Sequence, residues 1–147
     1  MPWNGSGIYG QTLIVDPLGA EQSGLDLVLG SFRVALYTDD RPDPDYSSTS
    51  PVYITEGEVV GTGYVAGGTL LTGTTLTHAG GVATWDADDV TWSETTLSGV
   101  RGCDIYWDDD PARRLVCGID FQIPYNTSDG DLTLAINPPG IITSQYA

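Results

Sequence analysis

Short segments in which apolar and polar residues alternate, each followed by turn residues, most strongly constrain the fold of this chain. In SFRVALYT, residues 31–38, Phe32, Val34 and Leu36 occupy every second position. This period of two is typical of a β-strand, and turns spaced by about 8–12 residues are typical of β-sandwiches. The same pattern predicts further strands at 52–56, 63–71, 73–78, 81–86, 89–93, 99–107, 114–123, 131–136 and 140–144. We therefore predict an all-β chain, folded as an antiparallel β-sandwich or jelly roll.

The chain is long enough for one domain with its own core, because its 147 residues fall within the usual range for a single domain. We predict an N-terminal segment, residues 1–30, followed by a β-sandwich domain, residues 31–147. The N-terminal segment is expected either to be extended or to form one short helix, from about Ile8 to Val15, with Ser6 as its cap. Asp16–Pro17 would end this helix, since the residue before proline avoids the α conformation.

The glycine-rich segment EVVGTGYVAGG contains Gly61, Gly63 and Ala66 with the spacing of a dinucleotide-binding turn. Such a turn needs a helix directly after the glycines, because the helix N-terminus holds the pyrophosphate. The chain continues GTLLTGTTLTHAGG, whose threonines and glycines disfavour a helix interior. We therefore expect no cofactor, and we predict that the pairs Gly67–Gly68 and Gly80–Gly81 are turn or bulge positions with positive φ.

The charge of the chain is strongly acidic, with 20 Asp and Glu against 5 basic residues and a net charge of −15. This charge repels phosphate backbones and anionic membrane surfaces, so we expect no direct contact with nucleic acid or membrane. The start, MPWNGSGIYG, has neither the basic nor the apolar region of a secretory signal. We expect a soluble protein made without a secretory signal.

The segment VRGCDIYWDDDPARRLVCGIDF, residues 100–121, predicts a β-hairpin with its turn at 108–112. In the register we predict, Cys103 faces Cys117 and Ile105 faces Leu115. One apolar face would then contain Cys103, Ile105, Leu115, Cys117, Ile119 and Phe121. We favour buried free thiols at Cys103 and Cys117, because a disulfide between directly opposed strand positions is strained and a reducing compartment opposes it.

Few residues favour catalysis, and we predict that the protein is not an enzyme. His78 is the only histidine, and no G-x-S-x-G motif accompanies it. Carboxylates cluster at 39–45, 86–89 and 108–110, where solvated loops are the favoured interpretation and structural Ca²⁺ or glycoside hydrolysis the alternatives. A carbohydrate-binding module remains a further alternative, with stacking surfaces from Trp3, Trp85, Trp92 and Trp107.

Five ordered segments of the chain resemble a family of small virion proteins of tailed bacteriophages. The segments are FRVALYTDD (32–40), EVVGTGYVAGGTLL (58–71), DADDVTWSETTLSGVRGCDIYWDD (86–109), VCGIDF (116–121) and LAINPPGII (134–142). The resemblance implies a structural protein of the virion, assembled in the cytoplasm of a bacterial host. The role we favour is a capsid decoration, or cement, protein that binds and stabilises the outer surface of the head shell.

The resemblance also implies the partners: the major capsid protein, or tail subunits if the chain is instead a minor tail protein or tail-associated adhesion module. We further expect a homo-oligomer on the particle. MPWNGSG resembles the start of some tail-fibre proteins, which supports the tail alternative. The contact elements are expected to be the N-terminus and a long acidic loop, residues 39–51, since neither is predicted to pack regularly within the domain. The candidate contact residues are Trp3, Tyr9, Asp39, Asp40, Asp43, Asp45 and Tyr46.

Overall fold

A computed structural model describes residues 5–9, 25–48, 51–136 and 140–145, and these residues form an all-β structure. In the described residues, ten strands pair antiparallel in three sheets that pack together as a small β-sandwich, which confirms the predicted fold class. The strands are β1 (Gly7–Ile8), β2 (Phe32–Tyr37), β3 (Thr69–Leu70), β4 (Thr75–Ala79), β5 (Val82–Asp86), β6 (Val90–Thr95), β7 (Val100–Trp107), β8 (Leu115–Tyr125), β9 (Gly130–Leu134) and β10 (Ile142–Gln145).

The largest sheet has five strands in the order β1-β8-β7-β2-β3, beside a three-stranded sheet β10-β5-β4 and a two-stranded sheet β6-β9. Most predicted strands are present, but two are not formed as expected. The segment 52–56 contributes only an isolated bridge from Val52 to Arg114. The segment 63–71 contributes only the two residues of β3, because turns occupy the glycine-rich part before it.

The core lies on both faces of the five-stranded sheet, with β2 buried on each side. Phe32 belongs to the larger cluster and meets Trp85 of the three-stranded sheet edge to face, with ring centroids 5.1 Å apart. Ala35 and Tyr37 belong to a smaller cluster on the other face, against which Tyr53 packs. Both faces of β2 are buried because loop residues that precede β3, such as Tyr46 and Tyr53, cover the face that would otherwise be exposed to water.

The central β7–β8 hairpin has a different register from the predicted one. Cys103 faces Ile119 and Ile105 faces Cys117, whereas Leu115 pairs with Tyr106 because a bulge interrupts the ladder. The bulge inserts an extra residue into β8 and thereby moves Leu115 into the smaller cluster, whereas both cysteines remain in the larger one. The predicted Cys103–Cys117 and Ile105–Leu115 pairs are therefore wrong, as is the predicted position of Leu115 on the cysteine face.

The two cysteines are buried free thiols on adjacent strands. Each lies diagonally across from the other rather than directly opposite, as the observed register requires. Burial raises the pKa of both thiols. The pKa of Cys103 is raised further by the nearby Cys117. Both side chains therefore act as neutral apolar groups in the core.

The described part of the N-terminal segment is joined to the main sheet. Gly7 and Ile8 pair with Gly118 and Cys117 of β8. The predicted helix is therefore wrong at Ile8, because this residue pairs with β8 in an extended conformation. Residues 10–15 of the predicted helix lie outside the described residues. Within the described ranges, no helix is long and apolar enough to cross a membrane.

Candidate partner-binding surface

The described part of the acidic loop, residues 39–48, covers one edge of the smaller core cluster, and its side chains point in two directions. Arg41 and Pro44 point inward and are buried, whereas Asp39, Asp40 and Asp43 are exposed. Asp45 is also exposed, so all four candidate aspartates of this loop lie at the surface. The expectation that the loop does not pack regularly within the domain is wrong for Arg41 and Pro44, because both are buried.

A buried ion pair attaches the acidic loop to the five-stranded sheet. Arg41 donates to the Oδ2 atom of Asp104 on β7 from Nη2 at 2.6 Å and from Nε at 3.1 Å. The two side chains are 4% and 0% exposed. Arg41 also donates to the hydroxyl of Tyr9 at 3.2 Å and to the backbone oxygen of Pro42 at 2.6 Å. These bonds fix the backbone from which the exposed aspartates project.

Two tyrosines predicted as contact residues instead hold the acidic loop against the N-terminal strand. Tyr9 is 1% exposed, and its ring lies 4.9 Å from that of Tyr46. The half-buried Tyr46 donates a hydrogen bond to the backbone oxygen of Gly5 at 2.9 Å. The premise that these segments cannot pack within the domain is therefore wrong for both tyrosines, since each has a partner from the other segment. Trp3 lies outside the described residues.

The arginines are all engaged within the molecule, which leaves the surface acidic. Arg101 donates to Asp120 at 3.0 Å and to Asp39 at 3.4 Å. Arg33 pairs with Asp108, Arg114 pairs with Asp110, and Arg113 lies over the ring of Tyr53. Exposed carboxylates remain on Asp26, Asp39, Asp40, Asp43, Asp45, Glu56, Asp88, Asp89, Glu94, Asp109, Asp129 and Asp131. Apart from Asp39, which contacts Arg101, none of these carboxylates has an ion-pair partner among the described residues.

The other candidate residues are dispersed. His78 lies on the exposed strand β4. Within the part of the chain that the structure describes, no three His, Cys, Asp or Glu side chains lie close enough to hold a metal ion. Trp85 and Trp92 are 1% and 5% exposed and Trp107 is half-buried. The three described tryptophans therefore form no open platform for stacking a sugar.

Three features of the structure were not predicted from the sequence. One is the buried charge of Asp104, for which the alternation gave no signal, because a residue between Cys103 and Ile105 lies on the opposite face of the strand, which is buried as well. Another is Glu58, which accepts hydrogen bonds from Tyr53, from Tyr64 at 2.6 Å and from the backbone nitrogen of Gly67 at 2.8 Å. The remaining one is a cavity of about 290 Å³ lined by Leu36, Trp92, Phe121, Tyr125, Leu132, Thr133, Leu134 and Ala135.

Burial of Asp104 makes the stability of the protein depend on pH. Burial raises the pKa of Asp104 from 3.8 to about 6, against the opposing effect of Arg41. The folded state therefore binds a proton more tightly than the unfolded state, and the stabilisation from this group is lost as pH rises through about 6. We expect a higher melting temperature at pH 5 than at pH 7, measured by calorimetry.

The matched control for this pH dependence is the double variant Arg41→Met/Asp104→Leu, which removes the pair. Its melting temperature should change less between pH 5 and pH 7, because only general charge repulsion then remains. The same change in melting temperature in the parent and the double variant would contradict the assignment to Asp104.

At lower pH, stability is expected to fall with falling pH instead. Burial raises the pKa of Asp110, but hydrogen bonds from Arg114 outweigh it and lower that pKa. The stabilisation from Asp110 is therefore lost as pH falls below 3.8.

Comparison of the chain with protein-family models, with curated proteins and with solved structures finds no match in any of the three. The acidic loop is the candidate contact surface, because its exposed carboxylates project from a backbone held by a buried ion pair. A surface of this kind suits contact with a basic protein partner, because its geometry is set before binding.

Proposed function

We propose that this chain is a structural protein of a tailed-bacteriophage virion, which binds the outer surface of the head shell as a decoration protein. The resemblance of five ordered segments supports the kind of protein. The observation that best supports the mode of binding is the acidic loop, whose exposed Asp40, Asp43 and Asp45 project from a backbone anchored by Arg41. The partner we propose is a basic patch on the major capsid protein.

Two physical arguments favour this surface. A loop fixed before binding loses little conformational entropy on contact, so more of the interaction energy appears as affinity. The acidic exterior also repels the phosphates of packaged DNA, which leaves the protein free to contact the shell. Asp39 has a second role, because it shares Arg101 with Asp120 and therefore remains in place beside the other three aspartates.

The test changes the charge of the acidic loop and leaves its hydrogen-bond acceptors in place. The variant Asp39→Asn/Asp40→Asn/Asp43→Asn/Asp45→Asn is added to phage particles that lack the chain, and the fraction that sediments with the particles is measured. We expect a loss of affinity of between about fourfold and a thousandfold, since four exposed charge pairs contribute roughly 0.2–1 kcal/mol each. Binding of the parent chain should also weaken with added salt.

The matched control is Asp88→Asn/Glu94→Gln/Asp129→Asn/Asp131→Asn, which removes the same number of charges from exposed positions outside the loop. This control should bind nearly as well as the parent. Equal losses in the two variants would show that total charge, and not the acidic loop, determines attachment.

Antibody labelling of intact particles in the electron microscope tests the location. Labels over the head would support the decoration role. Labels along the tail would overturn it in favour of the minor tail alternative, in which the same loop would contact tail subunits.

A further inference from the structure

The stretch from Val59 to Trp85 is unusual in this chain because it contains no Asp, Glu, Lys or Arg among its residues, whereas the whole chain has a net charge of −15. Several large apolar side chains in this stretch are exposed. Val60 is 93% exposed, Val65 is 77% exposed and Leu76 is 49% exposed. Two copies of an acidic protein repel each other least where such a stretch faces the contact.

Strand β4 lies within this stretch and has one free edge. It pairs with β5 alone among the described strands, and all five of its residues are exposed. Proteins usually protect such an edge with charged side chains, proline or a bulge. The sequence of β4, TLTHA, contains none of these apart from the ionisable His78. Among the described strands this edge of β4 is unpaired, and it can accept a further strand.

The pairing with β5 determines which backbone groups of β4 point outward. Ala79 pairs with Val82 across Gly80 and Gly81, whose φ angles of 57° and 80° fit a two-residue hairpin turn. In this type of hairpin the residues flanking the turn exchange hydrogen bonds, and bonded pairs then alternate. Thr75, Thr77 and Ala79 consequently bond to β5, whereas Leu76 and His78 direct their N–H and C=O groups outward.

We propose that β4 is a self-association surface, on which a second copy of this chain adds its own β4 in the antiparallel direction. Leu76 of each copy pairs with His78 of the other, and Thr77 lies opposite its own counterpart on the two-fold axis. This register pairs all five residues of each strand and joins two three-stranded sheets into one of six strands. A second copy is the occupant that the charge distribution favours, because two acidic chains repel each other least where the stretch from Val59 to Trp85, which has no charged Asp, Glu, Lys or Arg, forms the contact. The inference does not depend on the proposed role in the virion.

The register predicts which introduced cysteines will form a covalent dimer. With Thr77→Cys, the two new thiols face each other in a non-hydrogen-bonded pair, where Cα atoms are about 4.5 Å apart, within the range that a disulfide can bridge, although the bridge is strained. With Ala79→Cys, each thiol faces Thr75 of the other copy, and the two thiols are about 13 Å apart. The native Cys103 and Cys117 are 0% and 3% exposed and do not compete.

The experiment oxidises each full-length variant mildly in dilute solution and measures covalent dimer on a non-reducing gel. We expect dimer from Thr77→Cys and monomer from Ala79→Cys.

Adding Leu76→Pro to Thr77→Cys should abolish the cross-link because proline has no N–H to donate, whereas Leu76→Thr retains the donor and the cross-link. Circular dichroism establishes that each variant folds. If Leu76→Pro does not fold, Leu76→Glu replaces it, and the added like charges should suppress the cross-link at low salt only. Monomer from both cysteine variants, or equal dimer from both, would overturn the proposal.

Discussion

Replacing Arg41 with Met is expected to lower the free energy of unfolding by about 3–5 kcal/mol, which is a large part of the stability of a single domain. Asp104 would remain fully buried, with its carboxylate deprived of the guanidinium that pairs with it at 2.6 Å. The remaining hydroxyl of Tyr9, at 3.4 Å, cannot compensate a buried charge. Urea unfolding of the parent and the variant at pH 7 measures the difference.

The double variant Arg41→Met/Asp104→Leu distinguishes a costly unpaired charge from a general loss of packing. Leucine has nearly the shape of aspartate, and an apolar replacement of a whole buried pair is often neutral or stabilising. We expect the double variant to recover most of the lost stability, to within about 2 kcal/mol of the parent, because the Tyr9 hydroxyl still lacks its partners. A double variant as unstable as Arg41→Met alone would show that the charge of Asp104 is not the cause.

Replacing Gly68 with Ala is expected to cost at least about 4 kcal/mol, beyond the range of most single substitutions. Gly68 has a φ of 78°, and an added Cβ would lie 1.9 Å from the backbone oxygen of Val34. Val34 lies in β2, which is held between β7 and β3 and cannot move away without breaking the central sheet. Thermal unfolding, or loss of soluble protein on expression, measures the effect.

Gly80→Ala provides a matched control, because Gly80 has a similar positive φ of 57° but no atom within 4 Å of an added Cβ. It should cost only about 1–2 kcal/mol, the strain of a left-handed backbone alone. The difference between the two variants therefore isolates the close approach of Gly68 to β2. Equal costs would contradict that approach.

Much of the strand pattern could be predicted because it depends on local properties. The alternation around Phe32 predicted β2, and the glycine pairs at 67–68 and 80–81 have the positive φ angles expected of them. Among the candidate contact residues, the four aspartates of the acidic loop are exposed as a solvated loop requires. These properties follow from side-chain polarity and backbone sterics within a few residues.

The inward direction of Arg41, the burial of Tyr9 and the partner of Asp104 could not be predicted in the same way. Each depends on contacts between segments far apart in the chain, such as residues 41 and 104. The hairpin register illustrates the same limit, because alternation specifies which face a residue occupies but gives no sign of a bulge that moves Leu115 to the other face.

The sequence by itself determined that this chain forms short strands joined by glycine-rich turns and that its surface is acidic, because these are properties of residues and their immediate neighbours. The tertiary structure alone decided that the acidic loop covers a second core, that Arg41 neutralises Asp104 inside it, and that no other described strand pairs with the outer edge of β4. These features arise only when distant segments meet, since the burial of a charge and the pairing of a strand edge are determined by what packs against them.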